Sequence, residues 1–280
     1  MKAQNYDLAV AYRIYPRVSK IPAMFPDDKF QLAKVCLRSF RQSLGDLRVK
    51  MFVLLDGCPP EFDEIFTASF DTEDLELIHL EGIGNRQTFS RQIDILLQQH
   101  CAEAVYFAED DYFYLPDQFE SMLRFLQSAP DADFITPYDH PDYYALPLHA
   151  GQQEKREIGG QSWRTAASTC LTFLTTRKML AKNQRVFRTY AYGNPDVSLW
   201  LSLTKQAVFD PAIARKCLSQ RVALGGFVAL SWLYGWPQIL GGAQRKIWVP
   251  KPSIATHTEE RFLAPGVGWE RLFEKAINTP

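Results

Sequence analysis

Apolar positions in the first half of the chain follow two alternating rhythms. Short, largely apolar runs at residues 8–12, 49–55, 75–80 and 104–108 have the length and composition of strands. Between them apolar residues recur every three or four positions, as Phe89, Ile93, Leu96 and Leu97 do within 85–100, which predicts amphipathic helices. A loop through Pro16, Pro22 and Pro26 opens near Asp27 into a helical stretch ending at Gly45, and Pro59-Pro60 starts another helix. Strand alternating with helix predicts an α/β fold, a mainly parallel (mixed) sheet sandwiched between helices, with ligands bound outside the carboxyl ends of the strands. Past Pro130 the rhythm loosens into an apolar run at 134–138, a Gly- and charge-rich stretch at 151–164, a strand at 169–175 and further helices. With no internal repeat or long linker, the expected organisation is one catalytic domain over residues 1–205 and a C-terminal extension, 206–280, packed on it.

Each predicted strand ends in polar residues: Tyr12-Arg13, Asp56-Gly57, the stretch from Gly82 to Asn85, and Glu109-Asp110-Asp111. Residues two apart on an extended chain point the same way, so Glu109 and Asp111 can face one ligand while Asp110 turns to the other side. Carboxylates crowded after a buried strand repel one another unless a cation or hydrogen bonds offset their charge. Mg2+ or Mn2+ prefers oxygen ligands and also bridges a diphosphate. The same letters serve equally well as a solvated acidic turn or a helix cap, Asp56-Gly57 is an ordinary turn signal, and Arg13 and Arg91 can be solvated or paired with nearby carboxylates.

Composition narrows the partners. At 280 residues with 46% apolar and 13% aromatic content, the chain can bury one large core. A net charge of -1 provides no global positive field, which argues against nucleic acid. The five cysteines are widely spaced with no Cys-x-x-Cys pair, and the chain opens without a charged-then-apolar leader, so reduced core thiols in a cytoplasmic protein are expected. Residues 222–244 are uncharged and as long as a membrane span, but Gly225, Gly226, Gly235, Pro237, Gly241 and Gly242 are expected to break that segment into short pieces. Burial or a peripheral membrane contact is therefore expected rather than a span.

The order of these elements over residues 6–205 resembles the GT-A-type glycosyltransferases, particularly the inverting group often called family 2. The resemblance implies that Asp111 ligates Mn2+ or Mg2+, that Glu109 and Asp110 face the ribose and sugar of a donor, and that Tyr12, Arg13 and Asp56 lie near its base. Gly84-Asn85 and Arg91-Gln92 are similar to the family's Gly-rich entry and Arg-Asn pair, with Gln92 in place of Asn and one Asp rather than two after the second strand. These departures leave the base open. The segment from Gly193 to Leu201 looks like the family's Glu-Asp-x-x-Leu-Trp element with Pro195 in place of its first acid, which implies Asp196 as the base of an inverting transfer. Its place at a helix start suits an N-cap as well.

The resemblance also implies His257 as a C-terminal metal ligand, a lone His that suits a structural role equally; the segment 261–268, with Pro265-Gly266 and Gly268, suits a mobile lid over the donor that brings Lys251 or Arg261 to the diphosphate. Trp163, near Tyr143, Tyr144 and His149, is a candidate aromatic platform for the acceptor, though aromatic residues here suit the core equally. The implied reaction moves a sugar from a nucleoside-diphosphate sugar of UDP or GDP type to a sugar, lipid-linked or small-molecule acceptor, and a homo-oligomer is compatible with the sequence. A retaining transferase and a non-catalytic nucleotide- or carbohydrate-binding module are the alternatives. A nucleotidyltransferase is disfavoured because residues 12–20 lack a Gly-rich loop.

Overall fold

The computed structural model describes residues 6–18, 20–151, 153–220 and 222–278. The first half alternates as its pattern predicts: β1 (Leu8–Ile14), α1 (Lys29–Leu44), β2 (Val49–Asp56), α2 (Glu61–Thr67), β3 (Leu75–Leu80), α3 (Asn85–Gln98) and β4 (Ala104–Glu109). Asp28 caps α1 by accepting the Gln31 amide at 3.0 Å, and Gly45 closes it at φ +57°, a left-handed backbone that glycine adopts without strain. There follow β5 (Tyr112–Tyr114), α4 (Phe119–Ser128), β6 (Phe134–Ile135), α5 (Asp142–Ala145), β7 (Lys155–Ile158), β8 (Gln161–Ala166), β9 (Phe173–Thr176), α6 (Arg177–Arg188) and α7 (Asp196–Thr204). The chain ends with α8 (Pro211–Gln220), α9 (Val222–Gly241), β10 (Ile247–Lys251), β11 (Ala255–His257) and α10 (Trp269–Ile277).

Nine strands form one mixed sheet in the order β3-β2-β1-β4-β9-β6-β10-β8-β7. β1 pairs in parallel with both β2 and β4, and β9 runs antiparallel to β4 and β6. Both faces are covered, which is why the central strands read as continuous apolar runs. Leu8, Val10, Tyr12 and Ile14 enter the core beneath α1, α2, α4 and α10, whereas Ala9 and Ala11 enter the one beneath α3, α6 and α7. This parity decides where each polar strand end points.

Two sequence expectations change and a third gains detail. β1 runs to Ile14, so Tyr12 and Arg13 lie inside the strand rather than after it. The C-terminal extension joins the sheets themselves, as β10 inserts between β6 and β8 and β11 pairs antiparallel with β5. The apolar segment forms a single helix, α9, despite its glycines and Pro237. A Cβ at Gly225 would stand 2.3 Å from Leu218 Cδ2, and one at Gly235 2.2 Å from Ser202 Oγ. The missing side chains let α9 lie directly on α8 and α7, and that packing offsets a propensity cost of about 1 kcal/mol per glycine. Among the described residues no helix is long and apolar enough to cross a membrane.

Candidate functional site

Four strand ends converge on one cleft of about 330 Å³, lined among others by Arg13, Tyr15, Asp56, Asn85, Glu109, Asp110 and Asp111. Arg13 has the parity of Ala9 and Ala11, so it leaves β1 on the α3 side, 5.7 Å from the centre of the Phe89 ring. There its guanidinium pairs with Glu109 and donates to the Asn85 carbonyl at 3.2 Å. The second Glu109 oxygen accepts from the Thr172 hydroxyl at 2.7 Å. Asp110 falls on the opposite side, as alternation predicts, and meets Lys29 at the start of α1 at 2.8 Å and the Tyr15 amide at 2.9 Å. Asp111, on the turn between β4 and β5, faces His257 Nε2 at 3.1 Å across the β5–β11 pair.

Glu109 and Asp110 thus each have a protein cation, and Asp111 has a His257 ring nitrogen within hydrogen-bond distance, so much of the charge crowding read from the sequence is offset internally. Burial pushes the Asp110 carboxyl above its ordinary range, and Asp111 adds to this while Lys29 opposes it. Burial would raise Asp111 too, but His257 foremost, with Lys29 and Arg13, overrides it and holds that carboxyl well below the usual range. The reciprocal effect raises His257 against the burial that would lower it.

A test for a divalent ion turns on Asp111. Its Oδ1 is buried without a hydrogen-bond partner, which is costly in a dry site and suits a cation. His257 fits less directly. Its Nδ1 accepts the Glu259 amide at 3.1 Å, which leaves the Nε2 proton aimed at Asp111, so ligation through Nε2 requires that proton to be lost and the Glu259 contact to be given up. Among the described residues no three or more His, Cys, Asp or Glu side chains gather as a ready metal cage. Ligand oxygens would have to complete the shell around Asp111.

Asp56 is buried at the end of β2 and accepts the Ile83 amide at 2.7 Å, the Gly84 amide at 2.8 Å and the Thr88 hydroxyl at 3.2 Å. Gly84 is the N-cap of α3 and has no side chain to cap with, so a carboxylate from a neighbouring strand holds that turn. Asn85, exposed at the cleft, donates to the Tyr190 hydroxyl at 3.1 Å. Asp196 opens α7, and Pro195 is the residue at the cap position. Its carboxylate accepts from its neighbour Val197 at 2.8 Å, and burial raises it above the ordinary range, with Glu109 adding to the shift.

Three candidates lie elsewhere. Tyr12 has the parity opposite to Arg13 and is sealed between Phe40 and Phe66 in the core, with ring centres 5.7 and 5.5 Å away. Arg91 is exposed on α3 away from the cleft, while the adjacent Gln92 is buried and donates to the Ala11 and Ala108 carbonyls of β1 and β4. Trp163 is 1% exposed, its ring 4.3 Å from Phe125 and within the core beneath α4, so no sugar can stack on it.

No protein-family model matches the chain, and no curated protein matches it. Solved structures do. A putative nucleotide-diphospho-sugar transferase from Desulfovibrio desulfuricans G20 is similar over 81% of this chain and 97% of its own, at 12% identity and a TM-score of 0.43. The S. aureus protein TarS 1-349 is similar over 80% of this chain and 70% of its own, at 13% identity and a TM-score of 0.41. A CMP:2-keto-3-deoxy-manno-octonic acid synthetase complexed with CTP is similar over 70% of this chain and 85% of its own, at 10% identity and a TM-score of 0.41. At such identities and scores these likenesses say nothing about activity, which has to be argued from the cleft itself.

Lys29, Thr172 and Tyr190 are site residues that the sequence reading missed. Lys29 and Asp110 stand far apart in the chain, and nothing in a Lys one residue past a helix cap marks it as an ion-pair partner. Thr172 precedes β9, whose pairing with β4 brings it to Glu109. Tyr190 could have been suspected only from its nearness in sequence to Asp196.

Proposed function

We propose that the chain is a glycosyltransferase that moves a sugar from a nucleoside-diphosphate sugar of UDP or GDP type to an acceptor hydroxyl, with inversion and with Mn2+ or Mg2+. The observation that carries this reading is the unpartnered, buried Oδ1 of Asp111 on the wall of a cleft built from four strand ends.

Asp111 would hold the ion through Oδ1, with His257 joining the shell if its ring gives up its proton. When bound there, the ion supplies positive charge against the diphosphate. Arg13, fixed by Glu109 and the Asn85 carbonyl, presents a cation at the cleft wall for the donor. Asp56 keeps the 83–85 turn in place and thereby orients Asn85. Asp196, with its raised carboxyl, is suited to take the proton of the acceptor hydroxyl while the sugar passes through an oxocarbenium-like state. Glu109 and Arg13 both act on its charge, which supports a role for it beside that ion pair, on the acceptor side.

A second reading draws on the ion pairs. Because Glu109 and Asp110 are already paired with Arg13 and Lys29, and Asp111 meets the His257 ring, the cleft is also suited to hold a nucleotide or a carbohydrate without chemistry. Incubation with UDP- and GDP-sugars, with and without Mn2+, separates the two. Metal-dependent release of nucleoside diphosphate supports transfer, and the anomeric configuration of the product separates inversion from retention. Nucleotide binding without release over a broad acceptor panel supports the binding module. No binding of either nucleotide would defeat both the transferase and the nucleotide-binding module, and leave only a carbohydrate-binding one.

A further inference from the structure

Helix α9 has no charged residue, yet one of its faces is open to solvent. Leu224, Val228, Ser231, Gly235 and Ile239 are buried against the body of the protein. About a third of a turn around the helix, Leu233, Trp236 and Leu240 follow at spacings of three and four and are 68%, 57% and 63% exposed. An exposed helix face normally has charged side chains, and three large apolar ones in register mark a surface that is covered in use. The neighbouring elements extend it, with Phe209 57% and Leu218 55% exposed.

The charge around this face selects what covers it. From residue 211 to 258 the sequence contains no acidic residue. Arg215 and Lys216 are exposed on α8, the helix packed along α9, and among the described residues neither joins an ion pair. A second copy of the chain meeting this face across a two-fold axis would bring these like charges together, whereas anionic headgroups neutralise them. Trp and Leu on an uncharged helix beside Lys and Arg is the composition of a segment that lies in the plane of a bilayer surface.

We propose that the α8–α9 hairpin docks this protein on an anionic lipid surface, with Leu233, Trp236 and Leu240 entering the headgroup region and Arg215 and Lys216 meeting the lipid phosphates. Helix α9 rests on α7, whose first residue is Asp196, and the Tyr234 hydroxyl donates to the Tyr192 carbonyl at 3.0 Å. Docking would therefore leave α9 as the one helix between the membrane surface and α7, the helix that Asp196 opens. If the transfer reaction holds, this favours a lipid-linked acceptor; the docking itself does not depend on that reaction.

Vesicle co-sedimentation without nucleotide tests it. The whole chain should sediment with phosphatidylcholine vesicles containing about one third phosphatidylglycerol, less with pure phosphatidylcholine, and less at high salt. The exposed triple substitution Leu233→Ser, Trp236→Ser, Leu240→Ser should abolish binding while circular dichroism and thermal midpoint stay native. Arg215→Gln with Lys216→Gln, a milder change, should weaken binding to the anionic vesicles by roughly tenfold or more and leave the weak binding to neutral ones unchanged. Wild-type protein that stays in the supernatant with both vesicle types overturns the proposal, as does a triple variant that sediments like the wild type. A concentration-dependent dimer that the triple substitution dissociates, without vesicle binding, would assign the face to a second copy instead.

Discussion

Replacing Asp56 separates a residue that builds the cleft from one that merely touches a base. Its carboxylate, buried at the end of β2, accepts two backbone amides, Ile83 at 2.7 Å and Gly84 at 2.8 Å, and the Thr88 hydroxyl at 3.2 Å. Hydrogen bonds to a charged acceptor contribute about 1.5–3 kcal/mol each, and amides left without an acceptor lose more than the bond itself. Taking the low end for the two amides alone, Asp56→Ala should destabilise the fold by about 3 kcal/mol, and Asp56→Asn, which keeps one acceptor, by about half that. For a chain of this size a loss of about 3 kcal/mol corresponds to a fall in melting temperature of roughly 6–12 °C. Thermal unfolding followed by circular dichroism reads the shift, and amide exchange should accelerate at Ile83 and Gly84 first. A fall of less than about 2 °C in the Ala variant, together with altered preference between UDP and GDP, would refute this and return Asp56 to the base contact that the family resemblance implies.

Two other substitutions follow. Trp163→Ala should lower stability by about 3–5 kcal/mol, as for an aromatic residue removed from a packed core, and leave the acceptor KM of the surviving folded enzyme unchanged; a raised KM with native stability would restore the sugar-platform reading. Asp196→Asn should cut transfer by about 10²–10⁴-fold and raise the melting temperature near neutral pH. Because the folded carboxyl is raised, its ionised form costs stability above the folded pKa, and the cost disappears as pH falls below the unfolded value of about 3.9, so the stabilising effect of Asn should vanish there too. Melting curves of both proteins from neutral to acid pH check the sign, and undiminished transfer by the Asn variant would remove Asp196 as the base.

The first half of the fold was legible because both faces of its central strands are apolar and the intervening helices are amphipathic, so strand and helix periods stand apart. The order of polar strand ends was legible for the same reason, and Arg13, Asp56, Asn85 and the acidic triplet do share one cleft. What remained hidden was the parity at a strand end two residues longer than it looked. Tyr12 and Arg13 are neighbours in sequence, but one side chain enters the core beneath α1 and the other the cleft beside α3.

Trp163 shows the same limit, since a short strand of mixed composition does not reveal which of its faces is buried. The insertion of β10 could not be read locally, because its partners β6 and β8 lie more than eighty residues earlier in the chain. In α9 the glycine penalties suggested a broken segment, yet close approach to Leu218 and Ser202, visible only in three dimensions, is what those glycines permit.

In the proposed function Asp111 binds a divalent ion on which nucleotide binding depends. Titration calorimetry of UDP and GDP into wild-type protein and Asp111→Asn, each with and without Mn2+, tests it most directly. One nucleoside diphosphate should bind wild type at least about tenfold more tightly with Mn2+, or ~1.4 kcal/mol, and that enhancement should be absent from the variant while its fold is retained. An equal Mn2+ enhancement in Asp111→Asn, or none in the wild type, would contradict the account.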